Sequence, residues 1–300
     1  MLIAGGQTVL TCIETLDQRF QEADLFYGHG SDSSWDEAVF LVLSACDMPL
    51  NSGDEVANVT ITASQAARVN DWSRQRVVER KPLPYVTGKA WLGGTEFICD
   101  KRALVPRSPL AEIILKGFQP WCHSLPTRRI LDLCCGGGSL GILAALTHEE
   151  AHVVLADIDE DALALAELNI AKHQLERRVQ SVRSDVLGSV PLQRYDIVIC
   201  NPPYVDTEDM SNLPPEYLHE PNTALASGDD GLDFTRQLLA QLPEFLHSES
   251  LVFLELGNSW EHFENLFPKN PITWLEFENG GWGVCVLTNA EVEELARALA

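Results

Sequence analysis

Asn201, Pro202, Pro203 and Tyr204, in the run "DIVICNPPYV", set an amide, two imino acids and a phenol at the end of an apolar segment. This combination suits chemistry on a planar nitrogen, in an amide or a nucleobase. The lone pair of such a nitrogen is delocalised. It attacks a sulfonium methyl only when acceptors on its N–H groups turn it towards the carbon and stabilise the charge that develops. The Asn201 side-chain oxygen is one acceptor and the Pro202 carbonyl is the second. The two prolines fix φ and hold their preceding residues extended, so both acceptors are pre-set. The Tyr204 ring offers a flat wall for a planar group to stack on. A lone Asn-Pro would be a plain strand-terminating turn. Four residues in this order, downstream of an acidic, glycine-rich loop, make Asn201, Pro202, Pro203 and Tyr204 the catalytic candidates.

The loop in question is "LDLCCGGGSLG", residues 131–141. Gly136, Gly138 and Gly141 satisfy G-x-G-x-x-G, so a nicotinamide dehydrogenase competes at this point. Small residues in such a turn let a ligand approach the backbone and the helix N-terminus. Asp132 separates the two readings. A buried carboxylate there repels a pyrophosphate and attracts the ammonium of a methionine moiety, directly or through water. Asp157 ends the next apolar run, where a carboxylate can accept both hydroxyls of a ribose, a feature shared with NAD enzymes. S-adenosylmethionine (SAM) is therefore the cofactor the sequence favours. Asp185 ends the third run and could accept from the adenine amino group; its plainer reading is a surface turn. The cofactor-lining candidates are Asp132, Cys134, Gly136, Gly138, Asp157, Asp185 and Asn201. Asp159 reads as a helix cap. Cys134 and Cys135 read as small packing residues rather than nucleophiles, since no base or cationic activator is evident nearby.

These residues need a sheet to hold them. Strands are expected at 128–134, 152–158, 179–185, 196–200 and 251–256, with helical runs such as "DEDALALAELNIAKHQ" separating the first four. Apolar strands alternating with helices imply a parallel sheet covered on both faces. "ITWLEF", "ENGG" and "WGVCVL" then read as an antiparallel hairpin. The outline is α/β: a class I methyltransferase sheet of seven mostly parallel strands, Rossmann-like, preceded by a small helical domain. In that domain Val9, Ile13, Leu16 and Phe20 recur at helical spacing, and "SSWDEAVFLVLSAC" follows a Ser cap. "TASQAARVNDWSRQRVVERK" is a third helix, expected to be stopped by Pro82 and Pro84. "KAWLGGTEFICDKRALVP" contains two short extended runs around a turn. The expected division is a helical substrate-recognition domain at 1–82, a linker with a hairpin at 83–108 and a catalytic domain at 109–300.

The chain has 300 residues, 45% hydrophobic and 22% charged, enough for a sizeable core. Its formal net charge of −23 argues against binding free nucleic acid and for a small-molecule or basic protein partner. The one dense basic stretch, "RQRVVERK" at 74–81, reads as a solvated helix face. No stretch approaches the ~18 apolar residues of a membrane span, and no basic residue precedes the apolar start as in a secretory signal. Eight scattered cysteines without C-x-x-C spacing suggest free thiols in a reducing cytoplasm, and the histidines lack ligand spacing, so no metal is expected.

Taken together, these motifs resemble the glutamine-specific protein methyltransferases, which methylate glutamine side chains in release factors and ribosomal proteins. The resemblance runs through "PLPYVTGKAWLGGTEFICDKRALVPRSPLAE" (82–112), "DLCCGGGSLG", "NPPYV" and "EPNTALASGDDGLDF" (220–234). It covers residues 80 to 290, with a similar helical domain in front. Ser108-Pro109-Leu110-Ala111-Glu112 stands where the release-factor branch has Pro-Asp-Thr-Glu, which makes the chain most similar to the branch acting on large-subunit ribosomal protein three. The glycine loop departs from the family pattern, "CCGGG" replacing a Thr or Ser between glycines, so Cys135 and Gly137 carry no role over. The resemblance implies that Asn201 to Tyr204 hold the substrate glutamine, and that Asp132, Gly136, Asp157, Asp185 and Asn201 line the cofactor. It further implies that Arg107 and Glu112 steady the hinge or simply form salt bridges. Glu220, Pro221 and the "SGDDGLD" loop would shape the far side of the pocket, with Glu255 a further candidate. The rival functions are a release-factor methyltransferase, a DNA adenine amino-methyltransferase acting on a flipped base, and a SAM-binding assembly factor without catalysis.

Overall fold

The computed structural model describes residues 2–122 and 127–299. The chain forms two compact units; the smaller comprises Met1–Ala90 together with Cys99–Lys101 and Pro214–His219. Its first helix, α1 (Val9–Glu22), starts where the Thr8 side chain accepts from the Thr11 N–H. It buries Val9, Cys12, Ile13, Leu16 and Phe20 along one face. Helix α2 (Ser34–Ala45) is capped by Ser33, and α3 (Ala63–Val78) by a reciprocal Thr62–Gln65 capping box. The three helices share one apolar core with Ile3, Leu25, Ile61 and Leu83.

The structure departs from two expectations. Helix α3 ends at Val78, before either proline, as the chain turns through a left-handed Arg80 at φ +58°. Pro82 and Pro84 instead open α4 (Leu83–Thr87), Pro82 as N-cap and Pro84 within the first turn, where a missing N–H is harmless. The basic stretch is also not a uniformly solvated face. Arg76 is only 1% exposed, with Nε 2.6 Å from Glu37 Oε2 and Nη1 3.1 Å from Glu216 Oε1. Arg80 Nη2 reaches the same Glu216 oxygen at 2.9 Å. Arg76 lies on the inner side of α3, and its charge is tolerated because two carboxylates and the Phe26 carbonyl satisfy it.

In the chain order, β1 (Lys89–Leu92) and β2 (Thr95–Ile98) make a two-stranded sheet, and helix α5 (Leu110–Leu115) follows. The large sheet is built from β3 (Arg129–Leu133), β4 (His152–Asp157), β5 (Val179–Arg183), β6 (Tyr195–Cys200), β7 (Leu246–Glu255), β8 (Thr273–Trp274) and β9 (Val284–Thr288). Helices α6 (Ser139–Thr147), α7 (Glu160–Lys172), α8 (Thr207–Ser211), α9 (Asp233–Gln241), α10 (Trp260–Leu266) and α11 (Asn289–Leu299) complete the unit. The sheet order is β5-β4-β3-β6-β7-β9-β8, with the first five strands parallel and β9 antiparallel to both of its neighbours.

Alternate residues of the central strands enter two separate cores. Ile130, Ile197, Ile199 and Phe253 pack with the apolar faces of α5, α6 and α7. Leu131, Leu133, Val198, Val252 and Leu254 pack with those of α9, α10 and α11. Burying each such side chain stabilises the fold by roughly 1.5–3 kcal/mol, which is why these strands read as unbroken apolar runs. Strand order reverses between β3 and β6, so the loops leaving them part and open a crevice at their carboxyl ends.

Candidate active site

Asp132 lies near the end of β3, 1% exposed. Its Oδ2 accepts the Gly141 N–H at 2.7 Å, while its buried Oδ1 has no hydrogen-bond partner. Burial pushes its carboxyl up to about 7; the Gly141 N–H opposes the shift and the Asp157 charge adds to it. Gly141 permits this closeness, since a Cβ there would stand 2.9 Å from the Asp132 Cβ and 2.2 Å from the Leu155 Cδ2. The loop beyond reverses through left-handed residues, Cys134 at φ +58°, Gly136 at +53° and Gly138 at +80°, and Gly138 starts α6. Asn169 braces the loop: its amide donates to the Gly137 and Ile98 carbonyls and its oxygen accepts the Ile98 N–H.

Asp157 closes β4. One oxygen accepts from Gly136 N at 2.8 Å and the other from Asp159 N at 3.0 Å. Those bonds fix the carboxylate beside the glycine loop and leave a lone pair on each oxygen. Burial raises its pKa against those same N–H groups. Asp159 caps α7 through the Asp161 and Ala162 N–H groups. Asp185 is exposed and lies beyond the end of β5, which stops at Arg183 rather than reaching 185. The buried Ser184 side chain, bonded to the Val186 carbonyl and the Ser189 N–H, holds the turn that carries it.

The tetrapeptide leaves β6 directly. Register pairs Cys200 with Leu133 on one side and Leu254 on the other, so Asn201 stands between Cys134 and Glu255. The Asn201 Oδ1 is buried and without a hydrogen-bond partner, and Pro202 beside it is buried. Tyr204 is held from several sides. Its hydroxyl donates to Glu255 Oε1 at 3.2 Å, and its carbonyl accepts from Ser259 Oγ at 2.7 Å. A Cβ on Gly257 would lie 2.4 Å from the ring, and one on Gly231 2.2 Å from the Tyr204 carbonyl oxygen. Gly231 thus brings the "SGDDGLD" loop against the tetrapeptide. Val205 bridges to Ala226 just beyond.

Arg107 and Glu112 make salt bridges within this unit. Arg107 forks onto Glu220 at 2.6 and 2.8 Å, and Glu220 also accepts the Val105 N–H. Glu112 accepts the Glu278 and Asn279 N–H groups and faces Lys116. These contacts, led by the Glu278 N–H, hold its carboxyl down to about 2. Sequence reasoning missed Gly257, Ser259 and Ser108, whose Oγ donates to Glu255 Oε2 at 2.5 Å. A glycine immediately after an apolar strand was the one available signal.

Two buried oxygens without partners, Asp132 Oδ1 and Asn201 Oδ1, therefore sit near the carboxyl ends of neighbouring strands. The first can carry charge and suits a cationic group; the second is a neutral acceptor and suits an N–H donor. The sheet order, the glycine loop and these acceptors define a class I SAM-dependent methyltransferase. Residues 111–230 match the model of the methyltransferase small domain family. The chain is 40% identical over 270 residues to the ribosomal protein uL3 glutamine methyltransferase of Francisella tularensis subsp. tularensis (strain SCHU S4), covering 90% of this chain and 86% of that one. It is also 40% identical over 287 residues to the enzyme of the same name from Bordetella pertussis (strain Tohama I), covering 95% and 96%. Among solved structures it is similar to the hMettl16 catalytic domain in complex with a MAT2A 3'UTR hairpin, at 18% identity and a TM-score of 0.48, covering 74% of this chain and 78% of that one. The chain belongs to the family of ribosomal protein uL3 glutamine methyltransferases.

Proposed function

We propose that this chain transfers the methyl group of SAM to the side-chain amide nitrogen of a glutamine in ribosomal protein uL3. The observation that carries the reading is the Asn201 Oδ1, buried and without a partner at the sheet's switch point. Leaving such an acceptor unmet costs about 1–3 kcal/mol, which a substrate N–H arriving there would return. Asn201 Oδ1 and the Pro202 carbonyl accept the two amide N–H groups and turn the nitrogen lone pair towards the donor. Pro203 keeps Pro202 extended, and the Tyr204 ring stacks on the amide plane. When bound, SAM supplies an electrophilic methyl carbon.

On the cofactor side, the Asp132 Oδ1 takes the methionine ammonium. Asp157 accepts from the ribose and Asp185 from the adenine amino group. Cys134, Gly136 and Gly138 line the turn closely enough for backbone contact. The helical unit recognises the substrate protein, residues 83–108 link it to the catalytic domain from 109 onwards, and the reaction takes place in the cytoplasm on a basic protein rather than on DNA.

Labelled SAM incubated separately with uL3, a release factor and plasmid DNA tests the substrate; label in uL3 is expected, and its absence there overturns the reading. In the same assay, Asn201→Ala should lower turnover by about 10²–10³-fold while SAM binds within a few fold. Full turnover in that variant would remove Asn201 from the mechanism.

A further inference from the structure

The geometry points to Glu255 as a positioning residue for methyl transfer, acting through the Tyr204 hydroxyl: its ionised carboxylate holds the phenol as a donor pointing away from the substrate nitrogen. The inference rests on the methyl-transfer reading above and deepens it. Glu255 ends β7 one step beyond the Leu254–Cys200 pair, which sets it alongside Asn201. It is 5% exposed, and each oxygen has one partner, Tyr204 OH on Oε1 and Ser108 Oγ on Oε2.

Among the described residues the Glu255 carboxylate is held by two hydroxyls and by no direct ion pair. A buried charge is costly unless paired, and the cation that most nearly faces it, Arg107, is committed to Glu220 through both terminal nitrogens. Burial accordingly raises the Glu255 pKa, opposed first by Ser108, then by Tyr204 and Arg107. Its register neighbours on β6 and β9, Asn201 and Val284, are uncharged.

The consequence for chemistry follows from what a phenol can do. A carboxylate is an acceptor only, so Tyr204 must donate its proton to Glu255, and its oxygen then presents lone pairs elsewhere. A neutral Glu255 can set its own O–H against the phenol oxygen, and a phenol that accepts there has its proton free to turn elsewhere. A phenolic O–H aimed at the substrate amide would donate to the nitrogen lone pair that has to attack. Ionised Glu255 removes that competitor, and with Gly257 and Ser259 it fixes the ring beside Asn201.

The test measures kcat against pH with uL3 at saturating SAM, where bound ammonium keeps Asp132 ionised and silent. Wild-type kcat should rise with pH along an acid limb. Glu255→Gln, whose amide can donate to the phenol as well as accept from it and does not titrate, should lower kcat by about tenfold and flatten that limb. SAM Kd and the KM for uL3 should not move. Tyr204→Phe should be no worse when Glu255→Gln is added, because both act through one hydroxyl. Ser108→Ala, which withdraws a hydrogen bond from the charged form, should shift the limb to higher pH. Wild-type kcat and an intact limb in Glu255→Gln, or losses that multiply with Tyr204→Phe, overturn the inference. So does an unmoved limb in Ser108→Ala, which decides the matter even where Glu255→Gln fails to fold. Failure of the methyl-transfer reading shows separately, as wild-type enzyme that leaves uL3 unlabelled.

Discussion

Asp132 and Asn201 each keep one buried oxygen free of any hydrogen bond, and the two differ in what they ask of a ligand. Asn201 asks for a donor of any charge. Asp132, with a carboxyl raised to about 7 by burial, asks for a cation, because a positive neighbour favours its ionised form. The sign of the linkage follows. Without ligand, the contribution of Asp132 to stability is fully present below its ordinary value of 3.8 and is lost as pH rises through about 7. Ammonium binding runs the other way, since it requires the deprotonated form. SAM affinity measured by calorimetry should therefore fall about tenfold per pH unit below the folded pKa and level off above it. Asp132→Asn should bind SAM weakly with no such slope, and should unfold at a higher temperature than ligand-free wild type in mildly alkaline buffer. A wild-type affinity independent of pH would dissociate Asp132 from the ammonium.

At the scale of elements, the turns after β6 and β7 are held together by glycines. Gly257 has φ +46°, and a Cβ would meet the Tyr204 ring at 2.4 Å; Gly280 has φ +81° with nothing within 4 Å. Gly280→Ala should lose only the backbone preference, about 1 kcal/mol in a denaturant melt with normal turnover. Gly257→Ala should lose a further 1–3 kcal/mol or so from overpacking, and kcat should drop because the ring is displaced while SAM still binds. Equal turnover in the two variants would mean that Tyr204 needs no such backing. The same contrast explains what sequence could and could not reveal. Strands β3, β4 and β6 were legible because both faces are buried and apolar, and the tetrapeptide because its four residues are consecutive. The Ser108–Glu255 bond joins residues 147 positions apart, and nothing local marks either partner for the other. Arg76 is illegible for a related reason: helical spacing puts it on a face, but Glu37 and Glu216, 39 and 140 residues away, make that face an interior one. The end of α3 is hard to place from sequence because Pro82 is as good a helix opener as a stop.

For the whole molecule, charge is the property that composition dictates most directly. Many of the 21 basic residues, Arg76, Arg80, Arg107, Lys172 and Arg236 among them, are bound in ion pairs with the chain's own carboxylates, and the 44 acidic residues leave a net charge of −23. A field of that sign attracts a basic protein over distances set by the Debye length, ~10 Å at 0.1 M salt and ~3 Å at 1 M. Asp132 is 1% exposed, so added salt would reach the proposed contact with the methionine ammonium far less. Raising ionic strength should therefore increase the KM for uL3 while kcat and SAM Kd hold steady, in steady-state assays with potassium chloride. Reversing exposed carboxylates remote from the sheet's switch point, for instance Glu293→Lys with Glu294→Lys on α11, should weaken the salt dependence of kcat/KM without altering kcat. A KM for uL3 that ignores both salt and these substitutions would show that long-range attraction plays no part. Recognition would then rest on short-range contacts alone.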